Sequence, residues 1–154
     1  MTIRRMTPDD VHAASAVCLD AFTVAVAPTL SAQGIATFAG VASAAAFAIR
    51  LQGDNILLVA VDAGAIRGVA ELKEGRHVAM LFVAPDGQQR GIGRALMTAL
   101  LAHARAPLIT VSASLTSVPA YARYGFVCAG EVATASGLVY QPMHKPHDVA
   151  APVE

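Results

Sequence analysis

The sequence predicts an α/β protein of the mixed α+β kind, with one central mixed sheet that carries helices on both faces. Three short apolar runs follow one another across short turns, which is the pattern of antiparallel neighbours. A segment of helical period separates the third run from a further apolar run, so we expect those two strands to be parallel. The predicted element order is β-αα-βββ-α-β-α-ββ.

Composition favours a single domain with no electrostatic footprint. Of 154 residues, 55% are hydrophobic and 14% are charged, which supplies enough apolar material for one core. The formal net charge is +0, and the 11 basic and 11 acidic residues form no run or stripe. This balance argues against a nucleic acid or an anionic membrane as the partner.

The sequence also predicts a cytoplasmic location without a metal site. No apolar h-region follows the basic residues of Met1 to Asp10, so this segment is not a signal peptide. The apolar segment Ile35 to Ile49 is too short to cross a bilayer, which needs about 20 residues. Cys18 and Cys128 lie in apolar surroundings without metal-ligand spacing, which predicts reduced thiols in the core and no zinc.

The first third of the chain predicts one strand followed by two helices. Thr2 to Met6 can form a short strand, and Thr7 is an N-cap for a helix over Pro8 to Phe22, with proline at its first position. Val24 to Gly34 has no clear period and is predicted to be a loop that helps to shape a substrate pocket. A second, alanine-rich helix should end near Leu51.

The middle of the chain predicts three strands. Ile56 to Val61 is a continuous aliphatic run, typical of a strand buried on both faces. Ala65 to Lys73 and His77 to Val83 follow across turns that contain glycine. The later elements are a helix that ends before Pro107, a strand at Leu108 to Ala113, a short helix at Ser117 to Tyr124, and a hairpin of Phe126 to Val132 with Leu138 to His144. The predicted domain covers 1–145 and is followed by a disordered tail at 146–154.

The loop between the third strand and the following helix is the first candidate site. Its sequence, Gln88-Gln89-Arg90-Gly91-Ile92-Gly93, places successive backbone N–H groups at a helix N-terminus, where they can bind an anion. Gly91 and Gly93 let the backbone approach a phosphate closely, and Arg90 and Arg94 add positive charge. A glycine pair before a helix is equally typical of a simple turn, and neither a Walker A loop nor a dinucleotide fingerprint is present.

This loop resembles the GNAT superfamily of N-acyltransferases. The family pattern is Gln/Arg-x-x-Gly-x-Gly/Ala after an apolar strand that ends in Val-x-Pro, and Gln88, Gly91 and Gly93 match it, as do Val83 and Pro85.

A second motif of the same family lies downstream. The run from Tyr121 to Phe126 matches the family's Tyr-x-x-x-Gly-Phe ending after a short helix. Ser117 to Tyr121 and Val139 to Met143 are similar to one bacterial branch. The resemblance covers Thr2 to Lys145.

The resemblance implies an acyl-CoA bound in a V-shaped gap between the two parallel strands. The pantetheine amides would pair with the first strand's backbone, and the pyrophosphate would lie on the loop N–H groups. Where the family commonly has an asparagine in the second strand, this chain offers Ser112 or Ser114. The predicted cofactor-binding residues are Leu81, Phe82, Val83, Gln88, Gln89, Arg90, Gly91, Ile92, Gly93, Arg94 and Ser114.

The family's catalytic roles also map onto this chain. Tyr121 matches the general acid, because a phenol of pKa about 10 can protonate a thiolate whose thiol has a pKa of about 8.5. A backbone N–H near Phe82 would hold the oxyanion. His77 corresponds to the catalytic glutamate of histone-modifying members and could be the base, or could be a strand-end histidine bonded to the neighbouring strand. Glu71 is the other candidate base, or a solvated carboxylate.

The expected activity is transfer of an acetyl group from acetyl-CoA to the primary amine of a small metabolite by direct attack. A protein or peptide amine is the alternative acceptor. A further alternative is a regulatory module that binds acyl-CoA without turnover. A homodimer is also possible.

Overall fold

The protein is described from a computed structural model that covers residues 1–87 and 91–148. Eight strands of the described residues form a single sheet, and five α-helices lie on it. The strands are β1 (Thr2–Arg5), β2 (Asn55–Asp62), β3 (Ala65–Lys73), β4 (His77–Val83), β5 (Leu108–Ser114), β6 (Val127–Cys128), β7 (Ala133–Ala135) and β8 (Leu138–Pro146). The helices are α1 (Val11–Ala25), α2 (Ala32–Val41), α3 (Ala44–Arg50), α4 (Ile92–Leu101) and α5 (Val118–Arg123).

The predicted fold class is confirmed. The strand order is β1-β2-β3-β4-β5-β8-β6, and β7 pairs with β8. Strands β4 and β5 are parallel, as the intervening helix α4 requires, and the other described pairs are antiparallel. Consecutive antiparallel strands β2, β3 and β4 therefore lie beside one another, and β5 extends the sheet beyond β4 in the same direction as β4.

Two separate cores cover the two faces of the sheet. Helices α1, α2 and α3 bury one face, where Phe22, Phe38 and Phe47 pack against Val69 and Met80. Helices α4 and α5 bury the other face through the cluster of Leu96, Leu100, Ile109, Val111, Tyr121 and Phe126. Side chains alternate between the two faces along each strand. Where two neighbouring strands separate, the space between them therefore connects one core with the other.

The start of α1 is fixed by a local charge network. The Asp10 carboxylate accepts hydrogen bonds from the Thr7 N–H at 2.8 Å and from both Arg4 Nη atoms at 2.7 and 3.0 Å. The Arg4 contact, with the Thr7 bonds, lowers the pKa of Asp10 to about 2, against a smaller opposing effect of burial. The predicted N-cap Thr7 is followed by a 3₁₀ turn at Pro8–Asp10 before α1 begins, and α1 continues to Ala25 instead of ending at Phe22.

Several predicted elements differ in extent. The alanine-rich helix divides into α2 and α3, because Ser43 caps a new helix by accepting from the Ala46 N–H at 3.1 Å. The predicted loop before it is shortened, since a 3₁₀ turn at Ala27–Thr29 and the Ser31 cap of α2 fill that segment. Helix α4 ends at Leu101, well before Pro107.

The C-terminal hairpin is also more irregular than predicted. Its first strand is interrupted and forms β6 and β7, both paired with β8. Strand β8 continues through Pro146, and the His147 N–H donates to Pro107 O at 2.9 Å. The predicted tail thus includes two residues that are held to the domain, and the rest of it from 149 onward lies outside the described residues.

The cysteines and the apolar helices were only partly predicted. Cys18 is fully buried as expected, and burial raises the pKa of its thiol to about 12. Cys128 is exposed in β6, because its strand lies at the sheet's edge, so it is not a core thiol. Over the described ranges no single helix is long and apolar enough to span a membrane, although α2 and α3 together pass that test with a bend of 51°.

Candidate active site

Strands β4 and β5 separate soon after they meet. The described pairing between them consists of His77 with Thr110 and Val78 with Val111. A register shift in the β3–β4 ladder follows at once, where Glu71 pairs with Met80 and Ala79 is left unpaired. Such a bulge bends a strand away from its neighbour. The space between Ala79–Val83 and Ser112–Ser114 is called the gap below.

Backbone polar groups line both edges of the gap. The Ala84 N–H donates to Arg67 O in β3 at 2.8 Å, and alternation along an antiparallel strand then directs Phe82 toward β3 and Leu81 toward the gap. On the opposite edge the Thr110 N–H donates across to Arg76 O at 2.9 Å. The same alternation directs the backbone of Ser112 and Ser114 into the gap. The N–H predicted near Phe82 is therefore that of Leu81.

The N-terminus of α4 lies at the end of β4. Gly91 caps this helix with a positive φ of 76°, which glycine adopts without strain. The Ala95 N–H donates to Gly91 O at 3.0 Å, so the N–H groups of Ile92, Gly93 and Arg94 have no acceptor within the helix. A Cβ on Gly93 would lie 3.7 Å from Val83 Cγ2, which places these N–H groups beside the gap. Gln88, Gln89 and Arg90 lie outside the described residues.

Tyr124 connects α4 to the end of α5. Its hydroxyl would lie 2.6 Å from a Cβ on Gly93, so the second glycine of the motif is required by this contact. The Arg94 guanidinium lies over the Tyr124 ring at 5.6 Å and donates to Arg123 O at 3.3 Å. Tyr124 is therefore a packing residue, and the Arg94 guanidinium is directed toward α5, where it lines a surface depression separate from the cavity.

Tyr121 is the buried hydroxyl of the site. Its ring makes edge contacts with Tyr124 at 6.0 Å and with Phe126 at 5.6 Å. Burial, with a further contribution from Tyr124, raises the pKa of the Tyr121 hydroxyl above its ordinary value. Tyr121 also lines the cavity that opens from the gap. The hydroxyl therefore keeps its proton at neutral pH and reaches the space in which a ligand would react.

Ser114 holds the end of β5 in place. Its hydroxyl lies 2.6 Å from Ser117 Oγ and 3.5 Å from Thr116 Oγ1. Both Ser112 and Ser114 line the cavity. Ser114 and Tyr121 therefore line the same cavity, and a role of Ser114 in binding a cofactor stays a prediction.

A cavity of about 350 Å³ passes through the sheet at the gap. At one end lie the gap edges and Tyr121. The other end lies under α1, α2 and the β7–β8 hairpin, and it is called the acceptor end below. The acceptor end is formed by Phe22, Val26, Leu30, Phe38 and Leu138.

His77 does not line this cavity. Its Nδ1 lies 2.7 Å from Thr110 Oγ1 at the closed end of the gap, where β4 and β5 are still paired. Burial, followed by the positive charges of Arg76 and Lys73, lowers the pKa of His77 below 6.5. The ring is bonded to the neighbouring strand, which was the alternative interpretation of this residue.

Glu71 is engaged elsewhere. Its side chain is buried, and it accepts from Arg50 Nε at 2.9 Å and from Asn55 Nδ2 at 2.6 Å. It points into the core under α3 and does not line the cavity. The Glu71 carboxylate therefore belongs to a structural ion pair and is not a solvated side chain. The structure does not place it near Tyr121.

The aromatic part of the acceptor end was not identified from the sequence, although the segment Val24 to Gly34, predicted to help to shape a substrate pocket, contributes Val26 and Leu30 to its wall. The sequence pattern places Phe22 at the end of the first predicted helix and Phe38 in the alanine-rich helix. No residue near either of them in the sequence indicates that the two rings are in contact. Their rings stack at 4.0 Å with an interplanar angle of 12°. The periodicity of α1 places Phe22 four residues after Cys18, on the buried face, and this was the only available signal.

Comparison with known proteins identifies the family of this chain. The sequence model of the acetyltransferase (GNAT) domain family matches residues 26–146. The uncharacterized N-acetyltransferase YafP of Escherichia coli (strain K12) is 26% identical over 150 residues, which cover 92% of this chain and 97% of that protein.

Solved structures share the fold. A GCN5-related N-acetyltransferase from Rhodopseudomonas palustris has a TM-score of 0.83 and 28% identity, covering 95% of each chain. The PaiA N-acetyltransferase of Thermoplasma acidophilum, solved with coenzyme A, has a TM-score of 0.77 at 18% identity, covering 95% of this chain and 98% of that one. At that identity the second similarity is one of fold.

Proposed function

The chain belongs to the acetyltransferase (GNAT) domain family, and from that membership we propose that it transfers an acetyl group from acetyl-CoA to a primary amine of a small molecule by direct attack. The observation that carries the proposal is the gap, where the pairing of β4 and β5 stops beside the N–H groups of α4 that have no acceptor within the helix, and where a cavity lined by Tyr121 opens. A thioester-bearing arm fits such a slot, and the acetyl thioester supplies the electrophilic carbonyl.

The residues of the chain meet three demands of binding. The N–H groups of Ile92 to Arg94 can hold a pyrophosphate, since orphan amides at a helix N-terminus favour anions. The backbone of Leu81 on one edge and of Ser112 and Ser114 on the other can bond to amides of an extended arm as an added strand would. The N-terminus of α4 also lies next to the gap, since a Cβ on Gly93 would be 3.7 Å from Val83 Cγ2, so the pyrophosphate and the arm can be bound at the same time.

The chemical step follows from the same geometry. The amine nitrogen forms the new C–N bond while the C–S bond breaks, and the departing sulfur takes the proton of the Tyr121 hydroxyl, which solvent later restores. The Leu81 N–H points into the gap and can stabilise the negative charge on the carbonyl oxygen. No histidine or carboxylate of the described residues lines the cavity, so we assign the amine's proton to water and not to His77 or Glu71.

The first experiment is binding of acetyl-CoA, followed by thermal unfolding. A ligand that binds only the native state stabilises it, by about 2.7 kcal/mol at a hundred times its dissociation constant. We expect the Tm to rise with acetyl-CoA concentration. A flat response up to millimolar acetyl-CoA would refute the donor.

The second experiment removes the acid. Tyr121→Phe should lower kcat by about 10²- to 10⁴-fold, the usual contribution of a general acid, while the KM for acetyl-CoA stays unchanged. Tyr140→Phe is the matched variant, because it removes another hydroxyl from the same cavity, and we expect a smaller change. Equal losses of kcat in the two variants would remove Tyr121 from the role of acid.

Two further predictions stay with this proposal. We propose a cytoplasmic location, as expected from the sequence. A homodimer stays a prediction, which sedimentation of the purified protein would test.

A further inference from the structure

The acceptor end of the cavity is aromatic. Phe22 and Phe38 stack at 4.0 Å, and Phe38 meets Phe82 of β4 at 5.1 Å with an interplanar angle of 59°. These rings come from α1, α2 and the edge of the gap, so they surround one volume instead of a flat surface. Stacked and tilted rings at such distances favour a further ring as a neighbour.

The described lining of the cavity carries no charge. Its polar side chains are the hydroxyls of Ser112, Ser114, Tyr121 and Tyr140, and the other side chains are apolar. Ser112, Ser114 and Tyr140 alternate with Val111, Ala113 and Met143 of the α4 core, so they lie on the face of the sheet that α1 and α2 cover, and they supply hydroxyls there but no charge. A cationic group placed at the acceptor end would meet ring faces and hydroxyls but no carboxylate, so it would lose its hydration without gaining an opposite charge, which is costly.

Neighbouring carboxylates cannot supply that partner. Glu71, behind β3, is buried and already bonded to Arg50 and Asn55. Asp20, in α1, lines a different surface depression together with Arg67. A substrate with several ammonium groups would therefore find no counter-charge from the elements packed around the acceptor end.

The roof of the acceptor end is held by backbone contact. Gly34 in α2 and Gly137 in the β7–β8 turn approach so closely that a Cβ on Gly34 would lie 2.2 Å from Gly137 O. Thr37 Oγ1 also donates to Ser136 O at 2.7 Å. At about 350 Å³ the cavity is at the small end of the range for ligand sites, and part of it must hold the acetyl group.

We propose, on the basis of the proposed acetyl transfer, that the acceptor is a primary amine carried on an uncharged apolar body the size of one aromatic ring. Only the reacting nitrogen needs to be polar, and it reaches the gap beside Tyr121 while the ring lies against Phe22 and Phe38. Polyamines, amino sugars and lysine side chains of basic peptides are poor acceptors for the same reason.

The test compares amines at saturating acetyl-CoA, with free thiol as the readout. We expect kcat/KM for 2-phenylethylamine to exceed that for spermidine and for a lysine-containing basic peptide by about 10- to 100-fold, the effect of burying one aromatic ring. A preference for spermidine or the peptide would overturn the inference and leave the acetyl transfer standing. No transfer to any amine, despite a Tm increase with acetyl-CoA, would overturn the proposed function and the inference with it.

A pair of variants makes the test independent of a single substrate. Leu30 lies half-buried in the cavity wall, so Leu30→Asp adds a counter-charge, and Leu30→Asn adds similar polarity without it. We expect the ratio of kcat/KM for spermidine over 2-phenylethylamine to rise about tenfold in the aspartate variant relative to the asparagine one. Equal ratios in the two variants would show that charge at this end does not select the acceptor.

Discussion

Replacing Gly34 by alanine tests whether α2 must touch the β7–β8 turn for the cavity to keep its acceptor end. The added Cβ would lie 2.2 Å from Gly137 O and 2.9 Å from Gly137 C. A carbon–oxygen contact needs about 3.3 Å, so the helix and the turn must separate by about 1 Å. Both opposing atoms belong to the backbone, and no side-chain rotation can relieve the contact.

The cost follows from packing. Overfilling a tightly packed contact destabilises a protein by about 1–3 kcal/mol. For a domain of this size each kcal/mol lowers the Tm by about 2–4 °C, so we expect a decrease of roughly 2–12 °C by thermal unfolding. The bond from Thr37 to Ser136 spans the same junction and would lengthen with it.

The same displacement should act on one substrate only. Phe38 in α2 and Leu138 after the turn are opposite walls of the acceptor end, whereas the gap edges belong to β4 and β5. We therefore expect the KM for the amine to rise and the KM for acetyl-CoA to stay unchanged, in a steady-state assay with thiol detection.

Gly40→Ala is the matched control, because it lies in the same helix and a Cβ there would meet no described atom within 4 Å. Alanine in a helix is favoured over glycine by about 0.5–1 kcal/mol, so this variant should be neutral or more stable. The reasoning is refuted if the two variants have the same Tm and the same KM for the amine.

Three further predictions concern titratable side chains. Asp10→Asn should lower the free energy of unfolding at pH 7 by about 1–3 kcal/mol. Because the pKa of Asp10 is lowered to about 2, this contribution is complete above pH about 4 and disappears as the pH falls to about 2. Urea unfolding of the two proteins should therefore give the same free energy of unfolding at pH about 2. Glu71→Gln breaks a buried ion pair with Arg50 and should cost about 3 kcal/mol in urea, while the pH–rate profile of the folded variant stays unchanged; a shifted profile would restore Glu71 as the base. His77→Ala should leave the pH dependence of kcat unaltered, because the ring faces Thr110 and not the cavity, and loss of a limb of the profile would contradict this placement.

The strands could be predicted because their signals are local. Apolar runs joined by short turns fixed β2, β3 and β4 as neighbours, and the intervening helix α4 required β5 to be parallel to β4. The two motifs identified Gly91 and Tyr121 as candidate site residues from the sequence, since each motif depends on a few adjacent residues. The gap itself was an expectation drawn from the family resemblance.

The missed features depend on contacts between distant residues. One interpretation of Glu71 was a solvated carboxylate on a hairpin, because no nearby residue in the sequence indicates that Arg50 is its partner. Phe22 and Phe38 meet only after α2 has folded over α1, and that position is fixed by Gly34 against Gly137, far away in sequence. The division of the alanine-rich helix did have a local signal, Ser43, which is a strong N-cap residue.

The short pairing between β4 and β5 also leaves few backbone hydrogen bonds between two parts of the sheet, which share the core around α4. One part contains β1 to β4, and the other contains β5 and the final hairpin, with two paired positions, His77 with Thr110 and Val78 with Val111, in the ladder between them. Few shared hydrogen bonds allow such units to open separately, with different rates of amide exchange. A molecule bonded to both Leu81 and Ser112 supplies the missing rungs, so its binding makes the two parts of the sheet open together.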